Sequence, residues 1–145
     1  MIRQDKKILI VEDNPLNMEL LKDILEAQGY QIVQAYNSEE AITLLKVAKP
    51  DLIVMDIQLP GMDGLTLTRL LKEKEGFKDI PIVAVTAHTM KGDRERALAA
   101  GCNGYVSKPI NIKLFTATIA DFLFKGTKLK DSRDEGFKGS NERKS

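Results

Sequence analysis

Five short apolar runs alternate along the chain with longer segments in which apolar residues recur at helical spacing. The runs cover about 7–12, 31–35, 51–55, 81–85 and 104–107. Three of them are apolar throughout, which is typical of strands that helices cover on both faces. Strict alternation of strands and helices predicts a parallel sheet with right-handed crossovers.

The first predicted helix has sequence signals at both ends. Asn14 is a favoured N-cap, Pro15 suits the first helical position, and Gly29 suits a left-handed residue after the last turn. Its apolar stripe consists of Leu20, Leu21, Ile24 and Leu25.

Four further helices are predicted from the same periodicity. The second begins at Ser38, the third covers about 64–75, and the fourth covers about 89–100 and stops at Gly101. The apolar stripes are Ala41, Leu44, Leu45 and Ala48 in the second helix, Leu67, Leu70 and Leu71 in the third, and Ile112, Phe115, Ile119 and Phe122 in the fifth. We therefore predict an α/β fold, doubly wound and flavodoxin-like with (βα)5 architecture, whose five-stranded parallel sheet has the order 2-1-3-4-5.

Composition narrows the class of protein. With 22 basic and 21 acidic residues among 145, the chain has no global charge that would attract nucleic acid or an anionic membrane. The single Cys102 excludes an internal disulfide, and we find neither a signal peptide nor an apolar run of membrane-spanning length. We expect a cytoplasmic protein in which residues 1–125 form one domain and residues 126–145, mostly charged or small, form a disordered tail.

Polar side chains follow four of the predicted strands at the points where these strands end. Glu12 and Asp13 follow the first strand, Asp56 the third, Thr86 the fourth and Lys108 the fifth. Since the carboxyl ends of parallel strands share one edge of the sheet, we expect these side chains to meet near the switch point between strands one and three. Three adjacent carboxylates repel one another unless a divalent cation neutralises them, and a site with few carboxylates and retained waters suits Mg²⁺.

Each of these residues also has a simpler interpretation. Asp13 could be an ordinary helix cap, whereas Asp56 precedes a loop and is harder to explain in that way. Lys108 alone would be a solvated Lys, but Pro109 makes the bond between them a candidate cis peptide that would aim the Lys inward. His88, the only His, is more readily explained as an exposed loop residue than as a metal ligand.

Several common catalytic motifs are missing from the sequence. It contains no GxxxxGK[ST] phosphate loop, no GxGxxG after the first strand, no GxSxG and no paired Cys. Nucleotide-binding, dinucleotide-binding and serine-hydrolase functions therefore lose their main support.

Four motifs together resemble the receiver domain of bacterial two-component response regulators. They are Val11-Glu12-Asp13-Asn14, the loop from Asp56 to Gly64, Thr86-Ala87 and Lys108-Pro109. The resemblance covers about residues 5–125. It implies that Asp56 accepts a phosphoryl group from the phosphohistidine of a sensor histidine kinase or of a phosphotransfer protein.

The resemblance also implies a metal site. Asp13 and Asp56 would bind Mg²⁺ directly, Glu12 would bind it through water, and the backbone carbonyl of Gln58 would be a further ligand. This assignment agrees with the chemistry, because phosphoryl transfer mainly needs in-line positioning and neutralisation of the phosphoryl oxygens.

Further roles are implied around the phosphoryl group. Lys108 would pair with its oxygens, Thr86 would move to hydrogen-bond them, and Tyr105 would follow by rotating inward. Gln58 and His88 would flank the path of the attacking water and so set the lifetime of the phosphoprotein.

The sequence also bears on whether this receiver is a separate protein or part of a larger kinase. No DNA-binding segment follows Lys125, and Met1 favours a complete chain, so we expect a single-domain receiver that acts by protein contact or in a phosphorelay. The start Asn14-Pro15-Leu16-Asn17 resembles both small single-domain regulators of the cell-cycle type and receivers attached to hybrid kinases. The alternative is a receiver fragment of a hybrid histidine kinase. Asn103-Gly104 stands where winged-helix regulators that dimerise carry acidic residues, so we expect a monomer whose downstream target is another protein.

Two other functions require different chemistry. A Mg²⁺-dependent phosphohydrolase with an aspartyl-phosphate needs an acid/base residue two positions after Asp56 and a cap over its substrate. Gln58 is not an acid, and no insertion is large enough for a cap. A degenerate receiver that binds partners without phosphorylation is disfavoured because Asp13, Asp56, Thr86 and Lys108 are all present.

Overall fold

The computed structural model describes residues 5–87 and 92–125, which alternate between strands and helices as the sequence predicts. The strands are β1 Lys7–Val11, β2 Gln31–Ala35, β3 Leu52–Asp56, β4 Ile82–Thr86 and β5 Gly104–Ser107. The helices are α1 Pro15–Ala27, α2 Ser38–Leu45, α3 Gly64–Lys72, α4 Asp93–Ala100 and α5 Ile112–Ala120, and a π-helical turn Asp121–Lys125 continues α5. The proposed tail 126–145 lies outside the described residues. The fourth helix begins later than the predicted position 89, because α4 starts at Asp93, directly after the left-handed Gly92 with a φ of 93°.

The strands form one parallel sheet in the order β2-β1-β3-β4-β5, which confirms the predicted topology. In this order β1 and β3 lie side by side, with Ile8 opposite Leu52 and Val11 opposite Met55. Residues that follow these two strands therefore meet at one edge of the sheet, where crossover connections leave in opposite directions.

Two apolar clusters cover the two faces of the sheet. One contains residues of α1 and α5, among them Met18, Leu25 and Phe115, and the other contains residues of α2, α3 and α4, among them Leu67 and Ala97. All five residues of β3 are buried, as expected for a strand covered on both sides.

Three residues of the predicted apolar stripes lie partly at the surface instead. Leu20 is 45% exposed, Leu70 is 37% exposed and Ile112 is 56% exposed. In α1 the position in the core is taken by Met18, because the buried stripe of a surface helix covers only part of its circumference. Ala48 lies beyond the end of α2 and so does not belong to its stripe.

Cys102 is a free, buried thiol, which agrees with the prediction that the chain has no internal disulfide. Its Sγ lies 3.8 Å from Thr68 Oγ1, and burial raises the pKa of this thiol to about 11. No helix within residues 5–87 and 92–125 is both long and apolar enough to cross a membrane.

A set of hydrogen bonds connects α3 to the amino ends of β4 and β5. Lys72 Nζ donates to the carbonyl oxygens of Ile80 at 2.8 Å and Lys78 at 3.2 Å, and to Asn103 Oδ1 at 3.0 Å. Asn103 Oδ1 also accepts the Ile82 N–H at 3.0 Å, and the Asn103 N–H donates to the Ile82 carbonyl at 2.7 Å. We name these five residues the Lys72 cluster.

Replacing Lys72 should destabilise the fold. Lys72→Met leaves three acceptors without their charged donor, so the free energy of unfolding should fall by about 1.5–3 kcal/mol. Urea denaturation measures the change. Lys78→Met is a suitable control because the ion pair of Lys78 with Glu75 is exposed and contributes little. Equal losses in both variants would contradict this role of Lys72.

Candidate functional site

Three carboxylates meet at the carboxyl ends of β1 and β3. One oxygen from each of Glu12, Asp13 and Asp56 lies within 4.8 Å of the other two. Glu12 and Asp56 are only 1% and 6% exposed, whereas Asp13 is exposed to solvent. We name these three residues the acid pocket. The structure thus brings together the carboxylates that the sequence places at this edge.

The ammonium group of Lys108, the residue directly after β5, lies beside the acid pocket. Lys108 Nζ lies 3.0 Å from Glu12 Oε1 and 3.7 Å from Asp56 Oδ2. The peptide bond between Lys108 and Pro109 is cis, as predicted from the sequence. The backbone N–H of Lys108 donates to the Thr86 carbonyl at 2.9 Å, so the residues that end β4 and β5 are directly connected.

Backbone N–H groups orient the two buried carboxylates. The Gln58 N–H donates to Asp56 Oδ1 at 2.9 Å, and the Asn14 N–H donates to Glu12 Oε2 at 3.1 Å. With Oδ1 held in this way, Asp56 Oδ2 is the oxygen that lies near Lys108. These contacts fix the orientation of the Asp56 carboxylate.

The pKa of Asp56 is raised to about 6. Burial is the main cause of the increase. The hydrogen bond from the Gln58 N–H lowers the pKa, the neighbouring Glu12 raises it, and Lys108 lowers it. At neutral pH the carboxylate is therefore mostly ionised, although its surroundings make that ionisation costly. A divalent cation would reverse this balance, because its charge favours the ionised form.

The loop between β3 and α3 is held close to Asp56. A Cβ on Gly64 would lie 2.4 Å from the Asp56 carbonyl oxygen and 2.7 Å from Ile57 Cα, so only glycine fits at this position. Across the loop, Ser38 Oγ donates to the Met62 carbonyl at 2.8 Å. Neither contact was predicted from the sequence, although a Gly at the first position of a helix, directly after Asp63 as N-cap, is a signal for close backbone approach.

Adding a methyl group at Gly64 should damage both the fold and the site. Gly64→Ala should lower the free energy of unfolding by about 2–3 kcal/mol, because backbone atoms of Asp56 and Ile57 must move. Urea denaturation measures the loss. Gly76→Ala is the matched control, since a Cβ there meets nothing within 4 Å. Equal stability of the two variants would show that the backbone of β3 yields easily.

The remaining predicted site residues are placed as follows. Thr86 ends β4 and is fully buried, and Tyr105 in β5 is 3% exposed and thus already lies inside. Gln58 is exposed at the start of the loop that follows Asp56. His88 lies outside the described residues. Gln58 contacts Asp56 through its backbone N–H, and the predicted roles of Thr86, Tyr105 and Gln58 stay predictions.

The sequence and the fold match one family over most of the chain. Residues 8–120 match the response regulator receiver domain. The polar-differentiation response regulator DivK of Brucella anthropi is 48% identical over 118 residues, which cover 81% of this chain and 96% of that protein.

Solved structures show the same architecture. A putative response regulator from Chloroflexus aurantiacus superposes with a TM-score of 0.80 at 29% identity, over 83% of this chain and 98% of that one. The receiver domain of the sensor histidine kinase PA1611 from Pseudomonas aeruginosa, which has a magnesium ion coordinated in its active site cleft, gives a TM-score of 0.77 at 32% identity, with coverage of 83% and 98%. This chain belongs to the response regulator receiver domains, the phosphoacceptor signalling modules of two-component systems.

Proposed function

We propose that Asp56 is the phosphoacceptor of this receiver and that Lys108, Glu12 and Asp13 assist the transfer. The arrangement around Asp56 carries the proposal, because one ammonium and two further carboxylates converge on a buried aspartate at a strand end. An isolated buried aspartate would be neutralised or paired, whereas here the negative charge exceeds what Lys108 can compensate. The surplus charge favours a cation-dependent reaction.

The residues of the acid pocket fit Mg²⁺. Asp13 and Asp56 would bind the ion directly, Glu12 through water, and the Gln58 carbonyl would add a backbone ligand. All of these are oxygen donors, which hard divalent cations prefer, and the exposure of Asp13 leaves room for retained waters. When bound, the ion would supply positive charge to the oxygens of the transferring phosphoryl group.

The side chains of the chain itself define the transfer step. A carboxylate oxygen of Asp56 attacks the phosphorus of the donor phosphohistidine, the P–N bond breaks, and the imidazole nitrogen keeps the electron pair. The Gln58 N–H holds Asp56 Oδ1, so Oδ2 is the oxygen presented for attack. Lys108, 3.7 Å from that oxygen, is positioned to pair with the phosphoryl group once it has arrived.

Thr86 and Tyr105 are proposed to report the new charge. A phosphoryl group adds roughly 1.5–2 negative charges at neutral pH, and a Thr hydroxyl at the end of β4 can hydrogen-bond it. Tyr105 is buried in the neighbouring strand, so we propose that the phosphorylated state is the one that favours this inward position. The altered surface then changes the affinity for a protein target.

An exposed apolar face beside the acid pocket is proposed as the docking site for the phosphoryl donor. Leu16 is 82% exposed and lies in the first turn of α1, two residues after Asn14. Leu20 borders a cavity of about 240 Å³ that Lys108 and Pro109 also line. A kinase or phosphotransfer protein that covers these side chains would bring its histidine to the edge of the sheet that carries Asp56.

The location, oligomeric state and partners of the protein are also proposals. We expect a cytoplasmic monomer that receives its phosphoryl group from a sensor histidine kinase or a phosphotransfer protein and passes the signal by protein contact. Neither nucleic acid nor a membrane is expected as a direct partner, since 22 basic residues are balanced by 21 acidic ones.

Phosphorylation by a small donor tests the proposed function directly. The full chain is incubated with acetyl phosphate and Mg²⁺, and the intact mass is measured. We expect the mass of one added phosphoryl group, lost on treatment with hydroxylamine as an acyl phosphate is, and no addition when EDTA replaces Mg²⁺. A stable label on Ser, Thr or His would contradict the mechanism.

Gln58 and His88 are proposed to control how long the signal lasts. Neither residue is a carboxylate, so neither is a strong general base at neutral pH, and self-dephosphorylation should take minutes or longer. Gln58→Ala or His88→Ala should change the hydrolysis rate by ~10-fold, about 1.4 kcal/mol of barrier. The decay of the purified phosphoprotein is followed without any partner, with Thr66→Ala as the control. Decay within a second that neither substitution alters would contradict this role.

A further inference from the structure

A cleft separates α2 from α3 on one face of the sheet. On the same face α3 packs closely against α4, and on the other face α1 packs against α5. Between α2 and α3, however, lies a cavity of about 380 Å³. Its apolar walls are formed by Ile42, Leu45, Leu67, Leu70, Leu71 and Phe77. We name this cavity the α2–α3 cleft.

The α2–α3 cleft reaches from the surface into the apolar core. Leu67, Leu71 and Leu45 on its floor are 0%, 2% and 4% exposed, whereas Leu70 at its rim is 37% exposed. Its volume lies within the roughly 300–1,000 Å³ that is usual for ligand sites. A ligand that covers these apolar walls removes apolar surface from water, which favours binding.

The charged residues that line the α2–α3 cleft are two lysines, which are positively charged. Lys46 directly follows α2 and Lys74 lies two residues beyond α3, so each wall of the cleft includes one lysine. Among residues 5–87 and 92–125, those that line the cleft include no acid. A complementary ligand therefore has an apolar centre and carboxylates on both sides. An alkyl carboxylate has a single charged end and would satisfy only one of the two lysines.

The length of the cleft matches a short helix. On the α3 side the lining residues run from Leu67 through Leu70 and Leu71 to Lys74, a spacing of i, i+3, i+4 and i+7 that spans about 10 Å or roughly two helical turns. A helix of that length presents apolar side chains at i, i+3, i+4 and i+7 on one face, and such a face fits a groove between two helices.

We propose that the α2–α3 cleft binds an amphipathic helix of a partner protein, with acidic residues on both flanks of its apolar stripe. The cleft adjoins the carboxyl ends of α2 and α3, and the end of α3 lies at the edge of the sheet that carries the Lys72 cluster. The acid pocket lies at the opposite edge. A partner in the cleft therefore leaves Asp56 accessible to its phosphoryl donor, and the proposal does not depend on phosphorylation.

A pair of synthetic peptides tests both the shape and the charge of the proposed partner. Each has about 14 residues with Leu at i, i+3, i+4 and i+7; one carries Glu on both flanks and the other carries Lys at the same positions. They are titrated into the ¹⁵N-labelled full chain by NMR. We expect the Glu peptide to bind with shifts at Ile42, Leu70 and Phe77, and the Lys peptide to bind at least ~10-fold more weakly.

Charge-reversed variants provide the second arm of the test. Lys46→Glu combined with Lys74→Glu should invert the preference between the two peptides. Lys49→Glu combined with Lys113→Glu has the same change of net charge outside the cleft and should leave the preference as in the wild type. Phosphorylation by acetyl phosphate should be unchanged in both double variants.

Several results would overturn the proposal. These are binding of neither peptide, shifts that map to Leu16 and Leu20 instead of the cleft, and an equal response of the two double variants. Decanoate is titrated as a further probe, and its binding in the cleft without any binding of the Glu peptide would assign the site to a small amphiphile. If the wild type is not phosphorylated by acetyl phosphate, the proposed role of Asp56 is contradicted. The peptide-binding result for the cleft is then still valid.

Discussion

Asp56→Asn should abolish phosphoryl uptake from acetyl phosphate, while Asp13→Asn and Glu12→Gln should only slow it. The amide of Asn has no nucleophilic oxygen of comparable strength and no negative charge to share with a metal. The variant keeps the size of the side chain, and its amide oxygen can still accept the Gln58 N–H that holds Asp56 Oδ1. The loss should therefore be chemical, with the fold intact. Intact-mass measurement in the presence of Mg²⁺ gives the result.

The same substitution should stabilise the fold when no metal is present. The pKa of Asp56 is about 6 in the fold against an ordinary value of 3.8, so the folded chain binds this proton more tightly than the unfolded chain does. Stability therefore falls as pH rises from about 4 to about 6 and stays low above that interval. Removing the charge should recover about 1–2 kcal/mol at pH 7, after allowance for screening by solvent.

Urea denaturation in EDTA at pH 4 and pH 7 separates these two effects of Asp56→Asn. The variant should exceed the wild type at pH 7 and match it near pH 4, where Asp56 is protonated in the fold. Residual phosphorylation of the variant on another residue would show that Asp56 is not the acceptor. If Asp56→Asn is less stable than the wild type at pH 7, then Lys108 compensates the charge of Asp56 well.

Asp13→Asn should weaken Mg²⁺ binding at least ~10-fold, equivalent to about 1.4 kcal/mol. Asp13 is the exposed member of the acid pocket, so it can be neutralised without leaving a buried group unpaired. The variant removes one of the two direct carboxylate ligands that we propose for the ion. Isothermal titration calorimetry with MgCl₂ measures the affinity.

A matched substitution outside the site controls for net charge. Asp23→Asn on the exposed side of α1 makes the same chemical change and should leave Mg²⁺ affinity within about twofold of the wild type. If Asp13→Asn also falls within that range, then Asp13 is a helix-start residue without a metal role. Phosphorylation of Asp13→Asn at saturating Mg²⁺ would still be expected, since Asp56 and Lys108 remain.

Periodicity alone was sufficient to predict the topology, because strands that are buried on both faces and helices with capping residues leave clear marks in a sequence. The strand bounds agree with the predicted runs to within one residue. The meeting of Glu12, Asp13, Asp56 and Lys108 followed from that topology, since parallel strands end at one edge. Gly29 is also left-handed as predicted, with a φ of 95°.

Contacts between distant residues could not be predicted in the same way. The hydrogen bond from Ser38 to Met62 and the Lys72 cluster join segments that have no local signal for each other. Leu20 and Leu70 have the spacing of buried residues, but their exposure depends on which neighbouring helix covers them. The α2–α3 cleft likewise arises from how two helices sit side by side and not from the sequence of either.

The Lys72 cluster affects how motion can spread through β4 and β5. It joins the amino ends of both strands to α3, whereas Thr86 and Lys108 stand at the other ends, near the acid pocket. A displacement of these strands that starts at the acid pocket would therefore act on the ends that the Lys72 cluster does not hold.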